Sequence, residues 1–360
     1  MITQMHFQER LLQWFRKNQR PLPWRRHYRP YEVWVSEIML QQTQMDTVLP
    51  YFKRWMKAFP AIESVARSDE KRVLKAWQGL GYYSRARNIH QAAKNIVEKY
   101  AGKFPESFED ILAIKGIGRY TAGAIASIAF NQDRPIVDGN VLRVLSRIYA
   151  IRKPIDVEKN KEIFWKLQES LIPKGQARYF NQAMMELGAL VCSPQNPSCA
   201  ICPVSQYCKA NQEKNPENYP VRSRKRKTVK IAASAIVIER EGKYFIRRRP
   251  EGKIMGGLWE FPEWKLAKNR SLSLKTIRQK ALILATKEFS MNCETIKYLG
   301  SIRRNYTYFL EKLDVFTVEL PDSAILAPIT AWPHVWVSKK EFNKYPFSSA
   351  HAKIAGLILQ

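Results

Sequence analysis

The sequence has 360 residues, 45% of them hydrophobic, which is too long for one typical core and predicts two globular domains. Its 60 Lys and Arg residues outnumber 32 Asp and Glu residues, and the net charge of +28 indicates a polyanionic partner such as nucleic acid. No apolar run approaches a membrane span, and the first residues lack the pattern of a signal peptide. We therefore expect a cytoplasmic protein with no membrane partner, associated with the nucleoid if it is bacterial.

The first predicted helix runs from Phe7 to Phe15, and a second is predicted to begin at Pro30 and to end at Pro50. An apolar stripe follows one face of the second helix, formed by Trp34, Ile38, Met45 and Leu49. Glu37 lies beside this stripe. A helical glutamate is usually a solvated surface residue, but these neighbours favour its burial.

Residues 64–100 predict two helices that are interrupted at Gly79-Leu-Gly81-Tyr82-Tyr83. Paired glycines beside paired tyrosines form a turn that can present an aromatic ring to a partner. Core packing of both tyrosines is the alternative, and the spacing leaves both interpretations open.

The stretch from Ile111 to Arg147 predicts a short helix, a tight turn and a second helix, followed by a third. The turn, Gly116-Ile117-Gly118, can bring backbone N–H groups to a phosphate with no side chain interposed, so it would hold a nucleic-acid backbone without reading sequence. Asp138 stands just before the third helix. Each feature also has an ordinary explanation, a C-cap for the glycines and an N-cap for the aspartate. With further helices near 157–171 and 178–190, the first two hundred residues are predicted to be all-α.

Four cysteines follow in the spacing C-x6-C-x2-C-x5-C, and they are Cys192, Cys199, Cys202 and Cys208. Thiolates this close together in a reducing compartment bind a metal centre. Zinc competes with an iron-sulfur cluster here, but structural zinc sites usually offer two close cysteine pairs and this segment has one. Cys293 lies apart in apolar surroundings and is interpreted as a buried, inert thiol.

The remaining chain predicts a linker and an α+β domain. Residues 211–230 contain the basic run Arg222-Ser-Arg-Lys-Arg-Lys227, which can also contact phosphate. From residue 231 the pattern changes to strands mixed with helices. Strands are expected at 231–238, 243–248, 297–303, 315–320 and 335–337, and helices near 274–289 and 348–359.

The segment Gly256-Gly-Leu-Trp-Glu-Phe-Pro262 resembles the start of a Nudix-like fold. A working Nudix hydrolase needs a carboxylate cluster on the following helix to hold magnesium. Glu288 is the only acid between Lys265 and Phe289, so the sequence excludes a nucleotide hydrolase that acts on the nucleotide pool.

Taken together, the chain resembles the adenine DNA glycosylases of the MutY type, within the helix-hairpin-helix glycosylase superfamily. The resemblance rests on Val35-Ser-Glu-Ile-Met-Leu-Gln-Gln-Thr43, Gly79-Leu-Gly-Tyr-Tyr-Ser-Arg-Ala-Arg-Asn88, the Gly116 turn, Val137-Asp-Gly-Asn140, Phe180-Asn-Gln-Ala-Met-Met-Glu-Leu-Gly188, the four cysteines and the Nudix-like tail. The first segment is the specific one, because related endonuclease III-type enzymes lack its glutamate. Lys115 departs from the proline that is usual in the family's turn.

The resemblance implies a two-domain fold. An all-α helix-hairpin-helix glycosylase domain would occupy residues 1–210, with a 4Fe-4S cluster loop at 192–208. A basic linker at 211–230 and an α+β Nudix-like lesion-recognition domain at 231–360 would follow.

The resemblance also implies hydrolysis of the N-glycosidic bond of adenine mispaired with 8-oxoguanine or guanine, by a monofunctional enzyme. Glu37 would protonate the adenine ring, since a buried carboxyl can hold its proton near neutral pH, and Asp138 would remain ionised and stabilise the oxocarbenium-like sugar. Tyr120 would lie beside the adenine, and Asn140 would orient Asp138 or the attacking water.

The partner implied by the resemblance is double-stranded DNA, bound by a monomer with the adenine flipped out. The DNA-contacting residues would be Arg25, Gln41, Gln42, Tyr82, Gly116 and Gly118. Gln42 and Tyr82 would fill the space that the adenine leaves. A Phe-Ser-His turn reads 8-oxoguanine in the family, and Tyr306, Thr307 and Tyr308 stand at the aligned place, although ordinary strand packing is the alternative.

Two other functions are weighed against this one. A bifunctional glycosylase and lyase of the endonuclease III type requires a lysine nucleophile in the second helix of the hairpin, where this chain has Tyr120, and no lysine lies between Lys115 and Lys153. A non-catalytic iron-sulfur protein that binds damaged DNA would need neither Glu37 nor Asp138.

Overall fold

The computed structural model describes residues 2–223, 228–252, 254–290, 295–306, 308–321 and 332–359. The basic residues 224–227, Cys293 and Thr307 lie outside this described part, together with the predictions that concern them. The chain packs as two compact units, one formed by residues 1–68 and 87–225 and the other by residues 69–86 and 226–360. No helix in the described ranges is both long and apolar enough to cross a membrane.

Helices make up the regular structure before residue 225, which confirms the predicted all-α character of this part. In chain order they are α1 (Ile2–Asn18), α2 (Pro30–Leu40), α3 (Met45–Ala58), α4 (Ile62–Ala66), α5 (Glu70–Ala76), α6 (Ser84–Tyr100), α7 (Phe108–Ala113), α8 (Arg119–Ala124), α9 (Gly139–Ile148), α10 (Glu158–Leu171), α11 (Ala177–Leu190) and α12 (Lys209–Gln212). A π-helical turn, Ile125–Ala129, continues α8. One apolar core of the first unit is built by α1, α9, α10 and α11.

The single helix predicted from Pro30 to Pro50 is wrong. Helix α2 ends at Leu40, and Gln42 adopts a left-handed backbone with φ of 56°, which turns the chain into α3. Pro50 lies inside α3, where it removes one intrahelical hydrogen bond without ending the helix. Met45 therefore belongs to a different helix from Trp34, and the glutamine pair occupies the turn between them.

Residues 211–223, which the sequence analysis assigns to the linker, pack within the first unit. Tyr219 is buried, and its carbonyl accepts a hydrogen bond from Arg147. The backbone N–H of Ile155 donates to the carbonyl of Val221 at 3.0 Å, and Ser223 donates to Asp156. This part of the chain is thus held by specific contacts up to Ser223.

The second unit contains a mixed sheet flanked by helices, which confirms the predicted α+β class. Its elements are β1 (Val229–Arg240), β2 (Lys243–Arg248), β3 (Trp259–Glu260), β4 (Glu263–Lys268), α13 (Leu274–Phe289), β5 (Lys297–Tyr306), β6 (Phe309–Glu319), β7 (His334–Ser338) and α14 (Ser349–Leu359). The main strand order is β3-β2-β1-β6-β5, with β4 paired to β1 and β7 paired to β2. Strand β1 runs parallel to β6 and antiparallel to β2 and β4.

Two apolar clusters form the core of this unit, one containing residues of α14 and the other containing residues of α13. The sequence analysis did not predict β3 and β4. In β4 apolar and polar residues alternate only from Glu263 to Leu266, which is too short a run to identify a strand from the sequence.

Candidate active site

A cavity of about 840 Å³ opens in the first unit, between the end of α2 and the starts of α8 and α9. It is lined by seven residues that the sequence analysis selected, namely Arg25, Glu37, Gln41, Gln42, Tyr120, Asp138 and Asn140. Residues from distant parts of the sequence therefore converge on one polar space, which is the arrangement expected of an active site.

Glu37 is one of two buried glutamates in the cavity lining, together with Glu186. It lies on α2 among apolar neighbours such as Val33 and Ile38, and it is 5% exposed. Burial raises the pKa of Glu37 to about 7, and the charge of Asp138 also raises it, while a hydrogen bond from Tyr120 and the charge of Arg25 oppose the shift. The side chain can therefore carry a proton at neutral pH, as the sequence analysis expected.

Tyr120 is the direct partner of Glu37. Its hydroxyl donates a short hydrogen bond to Glu37 Oε2, and the sulfur of Met185 lies 3.9 Å from the same hydroxyl. Burial raises the pKa of Tyr120 well above its usual range, and the nearby carboxyls raise it further. The phenol thus stays protonated and fixes the orientation of the carboxyl.

Asp138 caps the N-terminus of α9. Its Oδ1 accepts a hydrogen bond from the backbone N–H of Val141 at 2.7 Å, and its Oδ2 accepts one from the Asn140 amide at 2.9 Å. Burial raises the pKa of Asp138, whereas these hydrogen bonds and the charge of Arg143 lower it. The N-cap favours the carboxylate that the sequence analysis expected, but the desolvation that opposes it could not be inferred from the sequence.

Asn140 is held in place by residues that the sequence analysis missed. Arg143 donates to Asn140 Oδ1 at 2.9 Å, to the carbonyl of Gly188 at 2.7 Å and to the carbonyl of Cys192 at 2.8 Å. A Cβ atom on Gly188 would lie 2.6 Å from the Cβ of Asn140, so only glycine allows α11 to approach α9 this closely. The i, i+3 spacing of Asn140 and Arg143 was the available signal.

A second polar group lines the cavity beside the carboxyl pair. Glu186 on α11 forms ion pairs with Arg20 at 2.7 Å and with Arg25 at 3.0 Å, and Arg25 also donates to Gln182 at 2.9 Å. Burial alone would raise the pKa of Glu186, but the hydrogen bonds from the two arginines lower it to about 2. Glu186 and Gln182 were quoted within a motif but were not selected as site residues.

The other predicted DNA-contacting residues lie outside the cavity lining. Gly116 has φ of 92° and Gly118 caps α8, and both are exposed. The backbone N–H of Ile117 donates to the carbonyl of Ile114 at 3.0 Å, so this group is already used within the turn. Tyr82 belongs to the second unit, where its ring is 39% exposed.

The four cysteines of the C-x6-C-x2-C-x5-C segment line one small cavity in the first unit. Burial raises the pKa of Cys202 to about 12 and raises the pKa values of Cys199 and Cys208. The described residues include no group of three or more His, Cys, Asp or Glu side chains placed to hold a metal ion.

Arg147 joins this cysteine segment to α9. Its guanidinium is fully buried and donates to the sulfur of Cys192 at 3.2 Å and to the carbonyls of Ser193 and Pro194 at 2.7 and 3.0 Å. It also donates to the carbonyl of Pro216 at 2.8 Å. Arg147 was not expected from the sequence, because the two arginines of α9 give no signal of which one is buried.

The predicted lesion-reading turn joins β5 to β6. The Tyr306 hydroxyl donates a hydrogen bond to Glu311, which is itself buried and paired with Arg304. The side chain of Tyr306 is therefore held against the body of the domain. Tyr308 is 44% exposed, and its ring packs on Phe309 at a centroid distance of 4.3 Å. Of the two described tyrosines, Tyr308 is the one that can meet a ligand.

Carboxylates do cluster in the second unit, although the sequence analysis found only Glu288. Glu260 pairs with Arg247 and Arg249, and Glu263 pairs with Arg249 and Arg304. Arg247 also pairs with Glu288. Guanidinium groups therefore neutralise these acids, and the resulting buried network is held by ion pairs.

Comparisons with known proteins match two family models along the chain. Residues 35–170 match the family model described as "HhH-GPD superfamily base excision DNA repair protein", and residues 233–356 match the NUDIX domain model. The chain is 37% identical to an adenine DNA glycosylase of Buchnera aphidicola, over 89% of this chain and 88% of that one, and 31% identical to an adenine DNA glycosylase of Homo sapiens, over 97% and 73%. Among solved structures, a thermostable thymine-DNA glycosylase superposes with a TM-score of 0.54 and 26% identity, covering 59% of this chain and 97% of that one.

The two buried glutamates of the cavity predict opposite effects of mutation on stability. Glu37 has a pKa raised from 4.5 to about 7, so its favourable contribution is present below pH 4.5 and is lost as the pH rises through 7. Glu37→Gln should therefore increase the free energy of unfolding at pH 8. The change that this substitution causes should be more stabilising at pH 8 than at pH 5.5, by about 1 to 3 kcal/mol. Denaturant unfolding at both pH values measures this difference.

Glu186→Gln is the matched control. Glu186 has a pKa lowered to about 2, so its carboxylate stabilises the fold above pH 4.5 and loses that contribution only as the pH falls towards 2. This variant should decrease the free energy of unfolding at pH 8. Equal effects of the two substitutions at pH 8 would contradict the assigned protonation states.

Proposed function

Because the chain belongs to the adenine DNA glycosylase family, we propose that it hydrolyses the N-glycosidic bond of adenine in mispaired double-stranded DNA, with Glu37 as general acid and Asp138 as the group that stabilises the cation. The observation that carries this proposal is the pair of carboxyls in one cavity with different hydrogen-bond partners. Glu37 receives a bond from Tyr120, whereas Asp138 receives bonds from Val141 and Asn140. Two carboxyls in distinct environments can divide acid and anion roles.

Glu37 supplies the proton in this mechanism. Cleavage of a purine glycosidic bond expels a poor leaving group, and protonation of the base improves it. A pKa of about 7 keeps a substantial fraction of the carboxyl protonated at neutral pH and still allows it to release the proton. The Tyr120 hydroxyl orients the carboxyl, and Met185 contributes a polarizable surface beside it.

Asp138 faces the positive charge that develops on the sugar. Its two oxygens are fixed by the Val141 N–H and the Asn140 amide, so a carboxylate there is already oriented before the cation forms. Arg143 holds Asn140 and thereby restricts Asp138 as well. Asn140 is also placed to orient the attacking water, whose proton a carboxylate can accept.

DNA binding would use several segments of the chain. The exposed turn at Gly116 and Gly118 would contact the phosphate backbone, and the basic surface implied by the net charge of +28 would add non-specific affinity. Base flipping leaves a gap in the duplex, which Gln42 and Tyr82 would fill. Both residues are exposed and have left-handed backbone conformations, which present their side chains on tight turns.

Recognition of the opposite base would belong to the second unit. We infer that 8-oxoguanine, or guanine, meets the turn at Tyr306, Thr307 and Tyr308, and that Tyr308 makes the main described contribution because its ring is exposed. Tyr306 supports the turn through its bond to Glu311. A phenol can donate a hydrogen bond to an oxidised purine but cannot become positively charged as an imidazole can.

The enzyme is a monofunctional glycosylase, and the cavity supports this. The hairpin position that would carry a lyase nucleophile holds Tyr120. Lys161, which the sequence analysis did not consider, reaches the cavity lining, but its ammonium is paired with Glu158 at 2.6 Å. The tyrosine at the hairpin position disfavours the endonuclease III-type alternative, which requires an amine nucleophile there.

A 4Fe-4S cluster is the cofactor that the cysteine segment would hold. Four thiols line one cavity, and the buried Arg147 donates to the sulfur of Cys192, a contact that favours a thiolate ligand. Cys192, Cys199, Cys202 and Cys208 would be the ligands, and the bound group would stabilise the fold of this loop. The exposed Lys209 and Lys214 would then be held as a basic surface for phosphate.

The proposal includes a monomer that acts in the cytoplasm, at the nucleoid if the source is bacterial, because the substrate is chromosomal DNA. A non-catalytic binding protein is disfavoured, since it would gain nothing from a buried, protonated glutamate beside a fixed aspartate.

The first test of this function replaces the catalytic carboxyls. Glu37→Gln and Asp138→Asn should each abolish release of free adenine in single-turnover assays on duplexes with adenine opposite 8-oxoguanine, because both groups act only in the transition state. Affinity for the same duplex should be retained. A variant that excises adenine within about tenfold of the wild-type rate would show that its assigned role is wrong.

The second test concerns the opposite base. Tyr308→Ala should reduce the preference for 8-oxoguanine over guanine by about 1 to 3 kcal/mol if the phenol makes a buried hydrogen bond in the complex. Tyr298→Ala, an equally exposed tyrosine on β5, is the control and should leave the preference unchanged. An unaltered preference in Tyr308→Ala would place lesion recognition elsewhere.

The third test concerns the cofactor. Protein purified without oxygen should be brown with broad visible absorption, and Cys199→Ser should lose both the colour and much of the folded yield. Cys293→Ser should keep both, since it lies outside the four-cysteine segment. A colourless wild-type protein with one equivalent of zinc would refute the iron-sulfur assignment.

A further inference from the structure

The loop that carries Tyr82 is part of the second unit, although its neighbours in sequence on both sides belong to the first. Residues 69–86 group with residues 226–360, and this segment contains α5 and the loop from Gly79 to Tyr83. Tyr82 is exposed, whereas Tyr83 is 5% exposed. The two adjacent tyrosines therefore have different surroundings.

Tyr83 closes the loop and anchors it through one hydroxyl. The hydroxyl accepts a hydrogen bond from the backbone N–H of Gly79 at 3.3 Å and donates one to the carbonyl of Phe347 at 3.0 Å. It thus joins the first and last residues of the loop to each other and to the segment 345–347. Phenylalanine at this position would keep the ring and lose both bonds.

Lysines of α5 contact the same segment. Lys75 donates from Nζ to the carbonyl of Tyr345 at 3.2 Å, and the ammonium of Lys71 lies 4.6 Å from the centre of the Tyr345 ring. A cation at this distance is attracted to the aromatic face. Helix α5 and Tyr83 are therefore both attached to the segment 345–347.

The segment 345–347 is itself fixed in the core of the unit. The backbone N–H of Trp259 donates to the carbonyl of Pro346 at 2.9 Å, and the ring of Tyr345 packs edge-on against Trp259 at 4.9 Å. Phe347 is buried and stacks on Phe261 with a centroid distance of 5.7 Å. The carbonyl that receives the Tyr83 hydroxyl is thus attached to a rigid element.

The loop also holds Tyr82 in a conformation that bulky residues avoid. Tyr82 has φ of 47°, in the left-handed region. The carbonyl of Gly81 accepts hydrogen bonds from Trp77 Nε1 at 3.0 Å and from Arg85 at 3.2 Å. Such a conformation persists only where surrounding contacts determine it, and the Tyr83 hydroxyl is one of those contacts.

We propose that Tyr83 is a positioning residue for the Tyr82 wedge, and that it acts by fastening the Gly79–Tyr83 loop to the backbone of residues 345–347. One unit would then both insert the wedge ring and contact the opposite base. This inference rests on the proposed role of Tyr82 in filling the duplex.

A double-mutant cycle in the full-length protein tests the proposal. Tyr83→Phe should slow single-turnover release of adenine opposite 8-oxoguanine by about 3- to 10-fold, as expected for the loss of a bridging hydroxyl. Tyr82→Ala should slow release at least as much. Because Tyr83 acts through Tyr82, the double variant should be no slower than Tyr82→Ala alone.

Tyr31→Phe is the matched control. Its buried hydroxyl also bridges two groups, donating to the carbonyl of Phe59 at 2.8 Å and accepting from Trp55 Nε1 at 3.0 Å. It should lower the thermal midpoint about as much as Tyr83→Phe without slowing excision. If Tyr83→Phe loses folded yield, Lys75→Met removes another contact to the same segment and should show the same non-additivity with Tyr82→Ala.

Four results would overturn the proposal. Tyr83→Phe at the wild-type rate would show that the hydroxyl is not needed, and effects that multiply in the double variant would show that it does not act through Tyr82. Equal slowing by Tyr31→Phe would indicate general destabilisation. A wild-type rate of adenine release by Tyr82→Ala would show that Tyr82 does not act as a wedge, and the inference about Tyr83 would then fail as well. Adenine release by the wild-type protein would still support the catalytic proposal.

Discussion

Desolvation of one carboxyl is the constraint on which the rest of the site depends. Glu37 lies among apolar residues of α2, and this burial is the largest cause of its raised pKa. A buried acid must be neutral or paired, and here the neighbouring donor is a phenol rather than a cation. The site therefore retains a proton that a salt bridge would remove. Glu186 shows the alternative on the same cavity wall, where two arginines keep the carboxyl ionised.

Helix α9 connects the chemistry to the cysteine segment. Its first turn holds Asp138 and Asn140, Arg143 bonds both Asn140 and the carbonyl of Cys192, and Arg147 bonds the residues that follow this cysteine. All these contacts come from one helix, so the position of the aspartate and the shape of the loop are fixed by the same element. Stability of the loop and precision of the active site are thereby linked.

The second unit contains a buried network of carboxylates and guanidinium groups. Its glutamates lie close together, but Arg247, Arg249 and Arg304 occupy the space between them. Buried ion pairs of this kind contribute little net stability compared with apolar packing, yet removing one partner is costly. The network also anchors Tyr306 through Glu311, whereas Tyr308 is exposed.

The sequence by itself determined the class of both units, the helices around the cavity and the residues that meet there, because hydrophobic periodicity and short motifs are local properties of the chain. Glu37 and Asp138 were singled out in this way, whereas Tyr120 was selected through the resemblance to the MutY-type glycosylases. The sequence also led to one long helix from Pro30 to Pro50, since the left-handed turn at Gln42 has no glycine to mark it. Strand β4 was missed because its alternation of polar and apolar residues covers only four positions.

Only the tertiary structure decided the partners of buried charges and the grouping of distant segments. Arg147, Arg143 and Glu186 act through contacts with residues more than 40 positions away, and no local pattern encodes such contacts. Residues 69–86 group with the second unit, and the bond from Tyr83 to Phe347 is one of their contacts there, across 264 positions. Burial and long-range hydrogen bonds are properties of the folded chain, and they set the protonation of Glu37 and the support of the Tyr82 loop.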